Sequence, residues 1–323
     1  MLTHEKQIKE CEEALERLRE QNNASDVWTD EEIVRLESRL EKLKAKVYSQ
    51  LSPWERVTIS RHPERPQAKD YISHIVEGFE ELHGDRLFRD DPAIVMGIGR
   101  IGGEKFMVIG QEKGKDTESR LHRNFGMPHP EGYRKALRAM QLAEKFNIPV
   151  LCFIDTPGAY PGLAAEERGQ GWAIAKNLME MAHLKTPVIA VLIGEGCSGG
   201  ALGIGIADRV AMLEHAYYSV ISPEGCASIL WKDSTKQAQA AECLKLTSDD
   251  LAEYKIVDHI IDEPLGGAHY DPQVVYKAVK EYVTRENATL KQLPLETLLK
   301  ERYNKFRQLG KTDHDETSFK GSS

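Results

Sequence analysis

The chain has 323 residues, 41% hydrophobic and 29% charged, with a formal net charge of −8. That length and apolar content allow one large or two ordinary globular domains with a sizeable core. The acidic balance argues against a nucleic-acid footprint, which needs a basic surface, and no run of about 18 apolar residues offers a membrane span.

Residues 1–50 are predicted to form a helical hairpin. Apolar positions recur at Ile8, Cys11, Leu15 and Leu18, then at Ile33, Leu36, Leu40, Leu43 and Val47. Spacings of three and four put a narrow stripe on each helix. Thr29 followed by Glu32 has the form of a capping box for the second helix. Such thin stripes leave little core, so the pair is expected to dock on the main domain or on a partner, or else to stand as a self-contained hairpin.

A Pro-punctuated stretch, 52–66, leads into the main domain, predicted over 51–293. Strands are predicted at Ala93 to Gly99 and Lys105 to Gln111, across the turn Gly102-Gly103. A helix follows from Pro130 to Asn147, then a buried strand from Val150 to Asp155. The next helix runs from Ala164 to His183, and a buried strand from Pro187 to Ile193. A glycine turn opens a helix over Ser198 to Ile206. Further strands are expected at Arg209 to Leu213, Tyr217 to Ile221 and Ile256 to Ile261. This alternation argues for an α/β fold with largely parallel, buried strands. Asp271-Pro272 opens a long amphipathic helix bearing Val275, Val279, Tyr282 and Val283. A last helix, 294–310, carries Leu295, Leu298, Leu299, Tyr303 and Phe306 and stops before Gly310. The polar tail 311–323 is expected to be disordered. No internal repeat of fixed period is present.

The five cysteines are Cys11, Cys152, Cys197, Cys226 and Cys243, and the closest two lie 17 residues apart. Without a CxxC, neither a zinc ribbon nor a redox dithiol is encoded, and no metal site is expected. Cys152 is predicted to pack as a small hydrophobe. The charged N-terminus does not resemble a secretory signal, so a reducing cytoplasm is the expected compartment. Lys113, Lys115, Arg120 and Arg123 form a basic stretch that reads either as a solvated loop or as a landing site for an anionic ligand or partner.

Three glycine patterns compete for function. Gly97 to Gly102 fits GxGxxG, but a second strand follows where a dinucleotide site needs a helix, so a hairpin turn is expected. Gly196-Cys197-Ser198-Gly199-Gly200 fits the nucleophile elbow GxSxG. A serine hydrolase would then need a carboxylate and a histidine after Ser198. His215, His259 and His269 are available, but none stands in a signature. The third reading takes the same residues as a strand, a turn from Gly194 and a helix start. There the first N–H groups lack acceptors and carry the positive end of the dipole. Glycines leave those groups uncovered, giving an oxyanion hole of Gly199, Gly200 and Ala201 made from backbone alone. A second turn, Asp155 to Gly162, also follows a buried strand and is placed to line the same crevice with Gly158, Ala159 and Tyr160. Gly196 and Ser198 complete the expected substrate-binding set. Glu166, Glu167 and Glu195 look like helix-surface or turn charges.

FIDTPGAYPG (153–162), AEERGQ (165–170), IGEGCSGGALGIG (193–205), SVISPEGCASILWKD (219–233) and EPLGGAH (263–269) together resemble the acetyl-coenzyme A carboxyltransferase alpha family of bacterial or plastid type. RNFGMPHPEGYRKALR (123–138) and ERPQAKDY (64–71) agree. The resemblance implies a crotonase-like spiral of ββα units carrying an N-terminal helical hairpin and C-terminal helices. It implies transfer of a carboxyl group from carboxybiotin to acetyl-coenzyme A, giving malonyl-coenzyme A at the first committed step of fatty acid biosynthesis. It also implies an α2β2 assembly with a carboxyltransferase beta subunit, in which Gly199, Gly200 and Ala201 face carboxybiotin. Biotin carboxyl carrier protein and biotin carboxylase are the other implied partners, with biotin supplied in trans on the carrier and no covalently bound cofactor here. The chain lacks a GxxxxGK[ST] loop and a Met-Lys-Met biotin attachment site, and Met179-Glu180-Met181 has a carboxylate in the middle. The rival from a neighbouring class is a stand-alone crotonase-type acyl-coenzyme A hydratase or hydrolase. Another is a non-catalytic scaffold. Roles for Lys115, Arg123 and Lys232 are not set by the sequence.

Overall fold

The computed structural model describes residue 8 and residues 10–19 and 30–310. An eight-stranded sheet runs β1 (Glu77–Leu82), β2 (Ile94–Ile101), β3 (Glu104–Gln111), β4 (Val150–Thr156), β5 (Val188–Cys197), β6 (Arg209–Leu213) and β8 (His259–Ile261), while β7 (Tyr217–Ser219) pairs with β5. The first three strands are antiparallel. All later pairings are parallel. Every residue of β4 and β5 is buried, as expected of strands covered on both faces.

β2, β3 and the helix Pro130–Lys145 make one ββα unit. Gly102 and Gly103 turn the hairpin at φ +59° and +84°, and Ile101 faces Glu104 across it. The GxGxxG run is therefore a hairpin, with no helix N-terminus to receive a pyrophosphate. The helix starts with Pro130 in its first turn and buries Tyr133, Ala136, Leu137, Met140 and Ala143, a stripe spaced for one face. It stops at Lys145, because Asn147 turns left-handed at φ 53°. Truncating Met140 to Ala in this packed seam would cost about 2–5 kcal/mol.

Three expectations need correction. The helix predicted from Ala164 to His183 is two, Leu163–Glu167 and Gln170–His183. Gly169 separates them at φ +81°, a conformation glycine adopts without a Cβ penalty. The segment Gly194 to Cys197, expected as a turn, continues β5 because Glu195, Gly196 and Cys197 pair with Tyr217, Tyr218 and Ser219 of β7. The helix beyond it covers only Ser198–Leu202. β1 was not anticipated: its sequence EGFEEL is mostly charged and exposed, since an edge strand has little apolar signal.

At the N-terminal end, residues 10–19 are helical, as is Asp30–Tyr48. Thr29 and the turn between these helices lie outside the described residues. Ile8, Tyr48 and Ile59 form a small apolar cluster capped by Leu51, and Lys44 Nζ donates to Tyr270 Oη at 2.9 Å. The N-terminal helices thus dock on the main body. At the other end, Pro272–Leu290 buries Val275, Val279, Tyr282 and Val283, and Leu295–Gln308 packs beside the sheet. The tail 311–323 lies outside the described residues. Among the described residues no helix is long and apolar enough to cross a membrane.

Candidate active site

β4 and β5 are parallel neighbours, so the turns that leave their carboxyl ends meet. The β4 turn is set by Thr156, whose hydroxyl donates to Gly158 O at 2.7 Å and accepts from Gly158 N at 3.0 Å. Gly158 sits at φ +147°, where a side chain is strained. The β5 turn begins at Ser198, left-handed at φ 52°, and enters the short helix Ser198–Leu202. The two turns touch at Gly200. A Cβ there would stand 2.5 Å from the Gly158 carbonyl carbon and 2.8 Å from Ala159 N. Backbone atoms cannot yield as a flexible side chain can, so this contact demands glycine.

Gly199 O is taken by Gly203 N at 2.9 Å, and Gly200 O by Gln111 Nε2 at 2.7 Å. Among the described residues, the backbone hydrogen bonds outside helices and strands include none from the N–H of Gly199, Gly200 or Ala201. Gly199 is half-buried, while Gly200 and Ala201 are buried. Ser198, Leu202, Tyr218 and Val220 line a groove of about 1260 Å³ together with Arg302 and Lys305 of the C-terminal helix.

Beneath the turns lies a chain of ionised groups. Lys113 Nζ bridges Asp155 Oδ1 and Glu195 Oε2, both at 2.6 Å. Arg61 continues it, reaching Glu195 Oε1 at 2.7 Å and Glu224 Oε1 at 2.5 Å. Tyr217 Oη donates to Glu195 Oε1 at 2.7 Å. Burial pushes the Glu195 carboxyl up, but Lys113 and Arg61 outweigh it and hold the group at about 2. Asp155 moves the other way, because burial and the neighbouring Glu195 charge exceed the pull of Lys113. Arg65 forms a parallel tie, donating to Ile193 O at 2.8 Å and clamping the buried Glu263 at 2.6 and 2.8 Å.

Next to that tie, His269 stacks on His62 with ring centroids 3.7 Å apart. Burial, then His62 and Arg65, depress the His269 imidazole from 6.5 to about 4. The folded protein therefore binds fewer protons there than the unfolded chain. This contribution is complete above pH 6.5 and is lost as pH falls toward 4. His129 and His215 are also depressed, mainly by burial, and act in the same direction. Urea midpoints are expected to fall between pH 7 and pH 4.5, and His269→Gln to shallow that slope without abolishing it. An unchanged slope in the variant would refute the assignment.

The model of the family described as "Acetyl co-enzyme A carboxylase carboxyltransferase-like" matches residues 1–310. The acetyl-coenzyme A carboxylase carboxyl transferase subunit alpha of Chlamydia pneumoniae is 60% identical over 310 residues, 96% of each chain. The chain belongs to this carboxyltransferase alpha-subunit family. The corresponding subunit of Protochlamydia amoebophila is 59% identical over 96% of this chain and 98% of its own. Among solved structures, a transcarboxylase 12S superposes with TM-score 0.52 at 21% identity, over 68% of this chain and 42% of that one. A chain of a Pseudomonas malonate decarboxylase hetero-tetramer in complex with coenzyme A gives 0.55 at 16% identity, over 70% and 88%. At such identities the likeness concerns the fold, which is the crotonase-like α/β fold anticipated from the motifs.

Within this alpha-subunit fold, Gly158 and Ala159 lie directly against Gly200. Tyr160 turns aside, its ring 4.1 Å from that of His129. Gly196 sits inside β5, where Leu192 Cδ2 and, at 3.1 Å, Tyr218 Cδ2 fill the space of a Cβ. Ser198 is exposed, and among the described residues no imidazole bonds its hydroxyl. Glu166 and Glu167 are exposed as expected, but Glu195 is 7% exposed and paired, not a turn charge. The basic stretch is engaged within the protein. Lys113 holds two carboxylates, Lys115 pairs with Asp70 at 2.6 Å, and Arg123 donates to Pro92 O at 2.6 Å. Lys232 is the left-handed cap of the helix Pro223–Trp231. The sequence reading missed Arg61, Arg65 and Gln111. Gln111 alone left a signal: a polar residue closing the otherwise apolar run FMVIGQ.

Proposed function

We propose that this chain is the alpha half of an acetyl-coenzyme A carboxyltransferase, working with a beta subunit in an α2β2 assembly. It transfers the carboxyl group of carboxybiotin, carried in trans by biotin carboxyl carrier protein and renewed by biotin carboxylase, to acetyl-coenzyme A. The product is malonyl-coenzyme A, and the compartment is the cytoplasm. Residues 51–293 act as the carboxyltransferase unit, with 1–50 and 294–310 attached to it. The observation that carries the site assignment is the glycine contact at Gly200. It sets the β4 turn against the start of the helix Ser198–Leu202, where the N–H groups of Gly199 and Gly200 precede the first intrahelical acceptor and that of Ala201 follows directly. Such a cradle fits a planar, hydrogen-bond-accepting ureido ring. Carboxybiotin supplies the carboxyl group, and these N–H groups stabilise the negative charge left on the ring when it departs. Gly158 and Ala159 form the opposing wall.

The buried position of Glu195 removes it as a free acid or base. Among the described residues Ser198 has no imidazole partner, so a hydrolase reading finds no activating group there. Ser198→Ala is therefore expected to keep turnover within a few-fold of the wild type, measured as kcat for malonyl-coenzyme A formation. A loss of several orders of magnitude would restore the nucleophile reading.

The deciding experiment compares malonyl-coenzyme A formation from acetyl-coenzyme A and carboxylated carrier by this chain alone and after adding a beta subunit. Activity is expected only in the mixture. Thioester turnover by the chain alone would favour the hydratase or hydrolase class instead.

A further inference from the structure

Gln111 closes β3 and is fully buried, in a position where an apolar side chain is the default. Its amide is committed at both ends. The oxygen accepts from Asp155 N at 3.1 Å, and the nitrogen donates to Gly200 O at 2.7 Å. One side chain thus spans β3, the end of β4 and the helix start after β5. A peptide group is planar, with its carbonyl and N–H pointing in opposite directions. Holding the Gly200 carbonyl therefore aims the Ala201 N–H. The same amide ties that peptide to Asp155, near the end of β4 and just before the opposing turn.

We propose that Gln111 is a positioning residue for carboxyl transfer, whose side-chain amide orients the Gly200–Ala201 peptide and sets its distance from the Asp155–Gly162 turn. The inference rests on the reading of Gly199 to Ala201 as backbone donors. Gln111 touches no substrate; it acts through the peptide it holds.

The shape-conserving replacement Gln111→Glu separates this role from simple packing. An ionised carboxylate still accepts from Asp155 N–H but has nothing to donate to Gly200 O, and two acceptors then face each other. Once protonated, the same carboxyl donates its O–H to Gly200 O and accepts at its carbonyl, reproducing the native pair of bonds. Asp155, whose N–H binds this side chain, is tied to Lys113, Lys113 to Glu195 and Glu195 to Arg61, while Arg65 donates to Ile193 O on β5 and Glu112 follows Gln111 in the chain. Gln111→Met removes both bonds and introduces no titrating group.

The test measures kcat and KM for acetyl-coenzyme A in the complex assembled with a beta subunit, from pH 6 to pH 8.5, normalised to assembled complex. At pH 8, Gln111→Glu is expected to lose about 10- to 100-fold in kcat with KM within about two-fold of wild type, since small misplacements of a donor have effects of this size. The deficit relative to wild type should shrink as pH falls. Gln111→Met should show a deficit of the same size at every pH. Wild-type kcat in either variant at pH 8, or a Gln111→Glu deficit that ignores pH, overturns the proposal. So does a loss that vanishes on normalisation, because that marks a packing role. Gly200→Ala serves as the companion. If it is impaired while both Gln111 variants are normal, the donors stand and Gln111 is dismissed. If it too is normal, the donor reading itself fails.

Discussion

Gly200→Ala is expected to lower kcat for carboxyl transfer by about 10²- to 10³-fold, the usual effect of losing one preorganised donor from an oxyanion-type site. A single methyl is enough. Its carbon would lie 2.5 Å from the Gly158 carbonyl carbon and 2.8 Å from Ala159 N, well inside any contact that real Cβ atoms make. The turns must part, and the N–H groups of Gly200 and Ala201 move with them. Gly200→Val exaggerates the same displacement. Gly199→Ala is the internal control. Its Cβ meets only the Ile174 side chain, Cδ1 at 3.3 Å and Cγ2 at 3.7 Å, and a few tenths of an ångström of movement there suffices, so turnover should stay far closer to wild type. The core strands are untouched by either change, and association with the beta subunit should persist, which size-exclusion chromatography checks. Equal turnover in Gly200→Ala and wild type would falsify the donor assignment.

Arg302→Met is expected to remove about 3–5 kcal/mol of stability, the range seen when one partner of a buried ion pair is deleted. Arg302 comes from the C-terminal helix and is fully buried. It makes a two-pronged pair with Asp208, at 2.8 and 2.7 Å. It also donates to three carbonyls, Met181 O and Leu184 O at 2.8 Å and Thr186 O at 2.9 Å. Met fills much of the volume but leaves the Asp208 carboxylate and those carbonyls dry and without this donor. Asp208 also accepts from Val188 N at 2.7 Å, at the first residue of β5. The loss should therefore spread from the helix to the strand that ends at the site. Against a typical total of about 5–15 kcal/mol, such a change is large. Urea denaturation reads it as a lower midpoint. Adding Asp208→Asn should recover part of the loss by discarding the orphaned charge, a coupling that a double-mutant cycle measures. A midpoint within about 0.5 kcal/mol of wild type would mean that water replaces the arginine at no cost.

The two variants probe different layers of the same design. Gly200 concerns the contact between two turns. Arg302 concerns what anchors the strand beneath one of them. The ion chain of Asp155, Lys113, Glu195 and Arg61 joins the ends of β4 and β5 to the helix Pro53–Ser60 and, through Glu224, to the helix Pro223–Trp231. Its members come from four regions of the sequence, with no spacing rule relating them.

Local periodicity and glycine placement by themselves determined much of this protein. The apolar runs at Val150 and Val188, each leading into a glycine-bearing segment, announce parallel strands whose carboxyl ends carry the proposed site. The motif set 153–162 and 193–205 determined the family. These features are legible because a strand buried on both faces, a left-handed turn and a close backbone approach each restrict residue type at their own position. Only the tertiary structure decided the rest. Gly194 to Cys197 reads as a turn in isolation and becomes strand because β7, some 20 residues later, offers it hydrogen-bond partners. Glu195 reads as a surface charge until Lys113 and Arg61 are brought to it. Gln111 reads as a strand end until its amide meets Asp155 and Gly200. In each case the partner is distant in sequence. The free energy of a buried charge or amide depends on those partners and not on the residues beside it in the chain.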